Sequence, residues 1–200
     1  MRYRARMDDQ VSRAFVEQLA GGPVPEWDHF AIHIKTRRLA AGDTLFASDV
    51  PWPWLSVVRS GLVKLVYLRE DGSERIKSFI AEGGFFASLA GLAADGRTTF
   101  SAVAMEPAVV DQLSYPQILA LGDKHLAWQK ALRVGIEHYG SRKEKREREL
   151  LTLSPEARYR LFLHESPELL GRVPQKDLAL YLGITPVALS RIRGRMLRMG

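Results

Sequence analysis

The chain has 200 residues, 46% of them hydrophobic and 26% charged, and carries a formal net charge of +6. This is the composition of a globular protein with a substantial core, and no apolar run approaches the roughly eighteen residues that suggest a membrane span. Cysteine is missing altogether, which excludes disulfides, thiolate zinc sites, Cys-held iron–sulfur clusters and a cysteine nucleophile.

The basic start, Arg2, Arg4 and Arg6, runs into Asp8 and Asp9 instead of an apolar stretch, so it does not read as a secretory signal, and a cytoplasmic protein is expected. Residues 11–20 place apolar side chains at helical spacing and end at Gly21, Gly22 and Pro23, which predicts a short leading helix. From about residue 35 the pattern changes to short β-type runs: 45–46, 55–59, 62–68, 76–80, 100–104 and 109–113. Alternation is visible in Val63, Lys64 and Leu65 and again from Ile76 to Phe79. Asp71 and Gly72, between two such runs, are a strong hairpin signal. Strands with regularly spaced turns indicate a closed sandwich or roll.

After Pro116 the pattern is helical. Trp128, Leu132, Gly135 and Tyr139 recur at steps of four and three with Ile136 beside them, and a charged stretch follows from Arg142 to Glu149. One long helix over 124–150 is predicted, with an apolar seam suited to pairing with a second copy; a helix lying along its own roll is the alternative. Ser154 followed by Pro155 opens another helix.

The last thirty residues carry the strongest signal. Residues 174–182 read as a helix, Gly183 and Ile184 as a turn, and Thr185 and Pro186 as the cap and first residue of a second helix. Ala179 is small where two helices would cross, Gly183 suits a positive φ, and Leu178, Leu182, Ile184, Leu189 and Ile192 form a shared core. This is the pattern of a helix-turn-helix beginning at Gln175, whose second helix would present Val187, Ser190, Arg191 and Arg195 to a major groove. Arg193, Arg195 and Arg198 are expected phosphate contacts.

Charge supports that reading. Through Tyr115 the chain holds 13 Lys/Arg and 14 Asp/Glu, whereas beyond it there are 16 and 9. The final sixteen residues contain Arg191, Arg193, Arg195 and Arg198 and no acid. Such asymmetry suits a polyanionic partner, because neutralised phosphates release condensed counterions. A merely solvated basic face is the alternative.

The order of β-roll, long helix and helix-turn-helix resembles the Crp/Fnr family of bacterial regulators, and residues 173–193 look like the DNA-binding segment of that family. In the roll, the turns at 41–43, 60–63, 71–74 and 82–86 sit where the family places its own. The resemblance implies an α+β chain with a jelly-roll sensor-type domain over 1–123, a dimerisation helix over 124–150 and a DNA-binding domain over 151–200, in which, as a departure from the family, no C-terminal β-hairpin wing is expected. It implies a homodimer that reads a palindrome in double-stranded DNA, with RNA polymerase as a further partner and no membrane.

The resemblance also marks departures. The family's phosphate-binding stretch has Gly-Glu ahead of a short helix and Arg-Ser or Arg-Thr after it, and the matching effector pocket here consists of Gly84, Ala87, Ser88, Arg97, Thr98 and Thr99. Ser88 stands where an acid would take a ribose hydroxyl, and Lys143 and Glu144 where cyclic-AMP binders carry helix hydroxyls. Cyclic AMP is therefore not the expected effector, and two alternatives stay open: the pocket holds another small anion, or Phe86, Leu89, Leu92 and Phe100 fill it with no ligand. No catalytic residue, metal or cofactor is predicted: there is no P-loop, G-x-S-x-G or G-x-G-x-x-G motif, and no histidine between residues 34 and 124. The competing reading is a β-roll interaction or small-molecule-binding protein whose helix-turn-helix leaves DNA alone.

Overall fold

The computed structural model describes residues 10–199. Two helices, α1 (Gln10–Ala20) and α2 (Trp27–Ala31), precede eight strands: β1 (Lys35–Leu39), β2 (Thr44–Phe46), β3 (Trp54–Ser60), β4 (Val63–Leu68), β5 (Glu74–Ile80), β6 (Phe85–Phe86), β7 (Ser101–Ala104) and β8 (Ala108–Ser114). A short helix α3 (Leu89–Leu92) interrupts them. Then follow α4 (Tyr115–Gly122), the long α5 (Leu126–Thr152), α6 (Pro155–Glu165), a 3-10 turn, α7 (Gln175–Leu182) and α8 (Pro186–Met199).

The strands form two antiparallel four-stranded sheets, ordered β1-β8-β3-β6 and β2-β7-β4-β5. Between them lies an apolar interior that includes Phe46, Val58, Leu65, Phe86, Phe100 and Val110. Alternating side chains from both sheets meet there, which is how a sandwich buries one face of each strand. The hairpin joining β4 and β5 turns at Gly72 with φ +76°, in agreement with the Asp-Gly signal.

Two strands escaped the sequence pattern. In β1, Lys35 to Arg38 are exposed and only Leu39 is buried, so no alternation of apolar residues announces it. Its place comes from backbone pairing with β8 at the edge of a sheet, where charged side chains also discourage pairing with other chains. The other, β6, is two residues long.

A second cluster packs the helices against the β1-β8-β3-β6 sheet, which contributes Val57, Phe85 and Leu113 to it. Val16 and Leu19 of α1, Trp27 and Phe30 of α2, Ile118 and Leu121 of α4, and Trp128 and Ala131 of α5 are all buried together. Trp128 is fully enclosed: its indole N–H donates to the Pro25 carbonyl at 2.9 Å, and its ring stacks 6.1 Å from that of Trp27. Gly135 lets α1 approach closely, because a Cβ there would come within 3.4 Å of Leu19 Cδ1. Polar contacts reinforce the docking, since the buried Asp111 carboxylate of β8 accepts from Ser12 of α1 and Thr36 of β1, each at 2.7 Å.

The third cluster joins the C-terminal helices to the roll. Leu178, Ala179, Leu182, Leu189 and Ile192 pack with Phe162 and Leu169, and Leu62 enters from the roll. Ions fasten the same junction. Arg172 donates to Glu82 at 2.9 Å and to Glu106 at 2.6 Å, and Lys64 of β4 donates to Asp177 of α7 at 3.1 Å. Glu82 is held below the usual carboxylate range chiefly by the Arg172 hydrogen bond.

Candidate nucleic-acid interface and effector pocket

The turn between α7 and α8 is built by capping. Gly183 sits at φ +73°, and the Ile184 N–H donates to the Ala179 carbonyl at 3.0 Å, the six-to-one bond of a Schellman ending. Thr185 Oγ1 then accepts from the Ala188 N–H at 3.2 Å and starts α8. Two arginines from neighbouring helices bind the last carbonyls of α7: Arg146 donates to Tyr181 O, and Arg158 to Leu182 O at 3.1 Å. Cations at a helix C-terminus are favoured by its partial negative charge. Both arginines were invisible as positioning groups in the sequence, where each is one basic residue among many.

With Leu189 and Ile192 buried, α8 turns its other side outward. Thr185, Pro186, Val187, Ser190, Arg191, Arg193, Arg195 and Arg198 are all exposed, and Gln175 is exposed at the start of α7. Val187 is 61% exposed, an apolar side chain in the first turn of a basic helix. At 100° per residue, Val187, Arg191 and Arg198 share one face, whereas Arg193 lies well round the helix. Arg195 is tied to Glu156 of α6 at 3.2 Å.

The proposed effector loop is arranged differently from a phosphate cradle. Arg97 Nε donates to the Asp49 carboxylate at 2.6 Å, and Nη2 donates to the Asp49 carbonyl. Thr98 is buried, with Oγ1 donating to Ala47 O at 2.7 Å and accepting from Val50 N–H at 3.1 Å. Ser88 is 1% exposed and caps α3, its hydroxyl facing the Gly91 N–H at 3.4 Å. Ala87 is buried and Thr99 exposed. At Gly84 a Cβ would approach Ile80 Cγ2 to 2.7 Å, so this glycine permits tight packing of the turn. Phe86 and Phe100 do fill the roll interior at 1% exposure each. Leu89 and Leu92 do not: they line a second, apolar cavity of about 290 Å³ with Phe85, Leu132 and Ile136, between the roll and α5. The reason is local, since α3 turns its leucines outward from Ser88 and Gly91, which take the buried side.

A larger cavity of about 560 Å³ opens between β4, β5, α5 and α7. Leu65, Tyr67, Ile76 and Phe86 line it on the roll side, and Tyr139, Arg142 and Lys143 on the helix side. Lys77 enters it because β4 and β5 slip register there: Leu65 pairs with Ser78 and Val66 with Ile76, leaving Lys77 as the extra residue of a bulge. Its Nζ donates to Tyr139 Oη at 2.9 Å and lies 4.0 Å from the Phe100 ring centre. Sequence alternation alone would have sent Lys77 to solvent.

Of the predicted seam residues, Trp128, Gly135 and Tyr139 are buried within their own chain, Leu132 is half-buried and Ile136 is 46% exposed. His29 and His33 stand one helical turn apart with ring centres 5.7 Å apart. Among the described residues no three His, Cys, Asp or Glu side chains gather as a metal site. Nor, among them, is any helix long and apolar enough to cross a membrane.

Residues 36–125 match the cyclic nucleotide-binding domain family. The arrangement of roll, long helix and C-terminal helices is shared with solved structures of other proteins. FixK2 of Bradyrhizobium japonicum superposes with a TM-score of 0.71 at 20% identity, over 84% of this chain and 86% of that one. The c-di-GMP-responsive global regulator CLP of Xanthomonas campestris gives 0.69 at 18%, over 86% and 91%. The catabolite activator protein of Thermus thermophilus gives 0.54 at 25%, over 91% and 87%. No curated protein matches the chain in a sequence search.

Proposed function

We propose that the protein is a sequence-specific DNA-binding transcription regulator acting as a cytoplasmic homodimer, with 1–123 as sensor-type domain, 124–150 as dimerisation helix and 151–200 as DNA-binding domain. The observation that carries this is α8 itself: one face is locked in the C-terminal core by Leu189 and Ile192, while Val187, Ser190 and Arg191 stand exposed on a helix without a single acid. A helix held that way fits the major groove, with Arg191 reaching a guanine edge and Val187 a thymine methyl. Thr185 and Pro186 lie at the helix start, where backbone N–H groups favour a phosphate. Gln175, Arg193 and Arg198 flank it for further backbone contacts.

The dimer is supported by the apolar cavity between roll and α5. Leu89, Leu92 and Ile136 leave apolar surface open beside a long helix, and a second copy of α5 is the occupant we assign. Such a dimer would place its two α8 helices for a palindromic site, and RNA polymerase is a natural further partner. The family match describes the roll and leaves the ligand open; the Arg97–Asp49 pair argues against a cyclic nucleotide.

The test is selection of bound sequences from a random double-stranded library, followed by titration of the selected site at several salt concentrations. A palindromic consensus and an affinity that falls steeply with salt are expected. Absence of any enriched sequence would favour the interaction-module reading instead.

A further inference from the structure

We infer that His29 and His33 form a chelating site for a divalent transition-metal ion of the borderline class, zinc or nickel, on the outer face of α2. This site lies outside the proposed function, and its binding does not depend on DNA recognition.

The two histidines are spaced for chelation on a helical backbone. His29 belongs to α2, and the helical path continues beyond its last residue. There the His33 N–H donates to Phe30 O at 3.0 Å and the Ile34 N–H to Ala31 O at 3.1 Å. Residues four apart on such a path stand one above the other on the same face. The two ring centres are 5.7 Å apart, with the planes at 78°. Imidazoles that share one ion at about 2.1 Å from nitrogen, near the tetrahedral angle, have ring centres roughly 5 Å apart. Small side-chain rotations therefore close the chelate.

Both rings are free to ligate. His29 and His33 are exposed, and among the described residues neither ring has a hydrogen-bond partner to give up. His125 is treated otherwise, since Glu26 holds its Nε2 at 2.7 Å. Glu26 and Asp28 stand just before His29 in the chain and add negative charge beside a bound cation. No third side chain of ligating type gathers with the pair, so water completes the coordination. Imidazole donors suit zinc, nickel and copper, whereas magnesium and calcium require oxygen ligands.

The site is also anchored from below. On the inner side of the same turn Trp27 and Phe30 are 3% and 1% exposed, with their ring centres 6.1 and 4.8 Å from that of Trp128 in α5. Packing thus fixes the backbone that carries the histidines, and an ion held by them fastens α2 to the segment entering β1. The unfolded chain does not hold the pair in this geometry, so the ion stabilises the folded state by mass action.

The test is calorimetric titration of the untagged full chain with zinc chloride and nickel chloride at pH 7.5, with magnesium chloride as control. One zinc or nickel ion per chain is expected to bind at micromolar concentration and to raise the melting temperature, and magnesium is expected to do neither. His29→Ala and His33→Ala should each weaken zinc binding at least tenfold, because either leaves a single ring, whereas His164→Ala should leave it unchanged. Circular dichroism should be unaltered in all three, since the replaced side chains are exposed. Nickel should also broaden the ring-proton resonances of two of the five histidines in the wild-type protein, a readout that needs no variant. Binding at millimolar concentration alone (an adventitious ion only), no binding, or unchanged zinc affinity in a folded His29→Ala/His33→Ala variant would each overturn the inference.

Discussion

Arg97 and Asp49 form a closed pair: the guanidinium takes both the carboxylate and the carbonyl of the same residue, with Nε 2.6 Å from Oδ1. Phosphate binding at this loop would have to break that pair and replace the backbone partners of Thr98. Calorimetry with cyclic AMP and cyclic GMP should accordingly show no micromolar binding. Micromolar affinity that disappears in Arg97→Ala would show that the loop reopens for nucleotide.

Arg191 lies one turn into α8 on the face of Val187. Arg191→Ala should cost on the order of 1–3 kcal/mol of specific binding and relax base preference at one position of each half-site. Arg198→Ala should weaken all sequences alike and lower the salt dependence by about one phosphate contact. Unaltered base preference in a randomised-library selection with Arg191→Ala would remove it from the readout.

Ile136 offers a cleaner probe of assembly than Trp128, because Trp128 is fully buried in its own chain and its loss would damage the fold. Ile136→Glu puts an unpaired carboxylate at the open apolar surface beside α5. Light scattering should show a monomer with unchanged circular dichroism, and affinity for a palindrome should fall. A variant that remains dimeric would move the interface elsewhere.

Lys77 supplies a pH signature. Its pKa in the fold is about 8 against an ordinary value of 10.5, mainly through desolvation. Between these values the folded chain has released a proton that the unfolded chain still holds, so ligand-free stability rises with pH across that window. Tyr67 and Tyr139, both raised above the usual phenol value by burial, stay neutral over most of it. Lys77→Met removes the effect. The stability of the variant relative to wild type should shrink by on the order of 1–2 kcal/mol from pH 7 to 10.5, after allowance for solvent screening. Parallel stability curves in denaturant titrations at pH 7, 8.5 and 10 would contradict it.

Local chemistry was legible in the sequence wherever it was self-sufficient. Gly183, Thr185 and Pro186 define a turn and a cap from residue identity alone, and Asp71-Gly72 defines a hairpin, because φ preference and short-range hydrogen bonds need no distant partner. The apolar periodicity of 128–139 likewise marks a buried helix face. What it cannot state is the surface that covers that face. Only the tertiary structure decided that Trp128 is met by Pro25 and Trp27 of its own chain, leaving Ile136 open. The same holds for charges. Arg97 looks like a phosphate ligand until Asp49, 48 residues away, is folded against it. Lys77 looks solvent-facing until a one-residue slip between β4 and β5 turns it towards Phe100 and Tyr139. Partner and direction are properties of long-range register and packing, which a strand's own alternation does not encode.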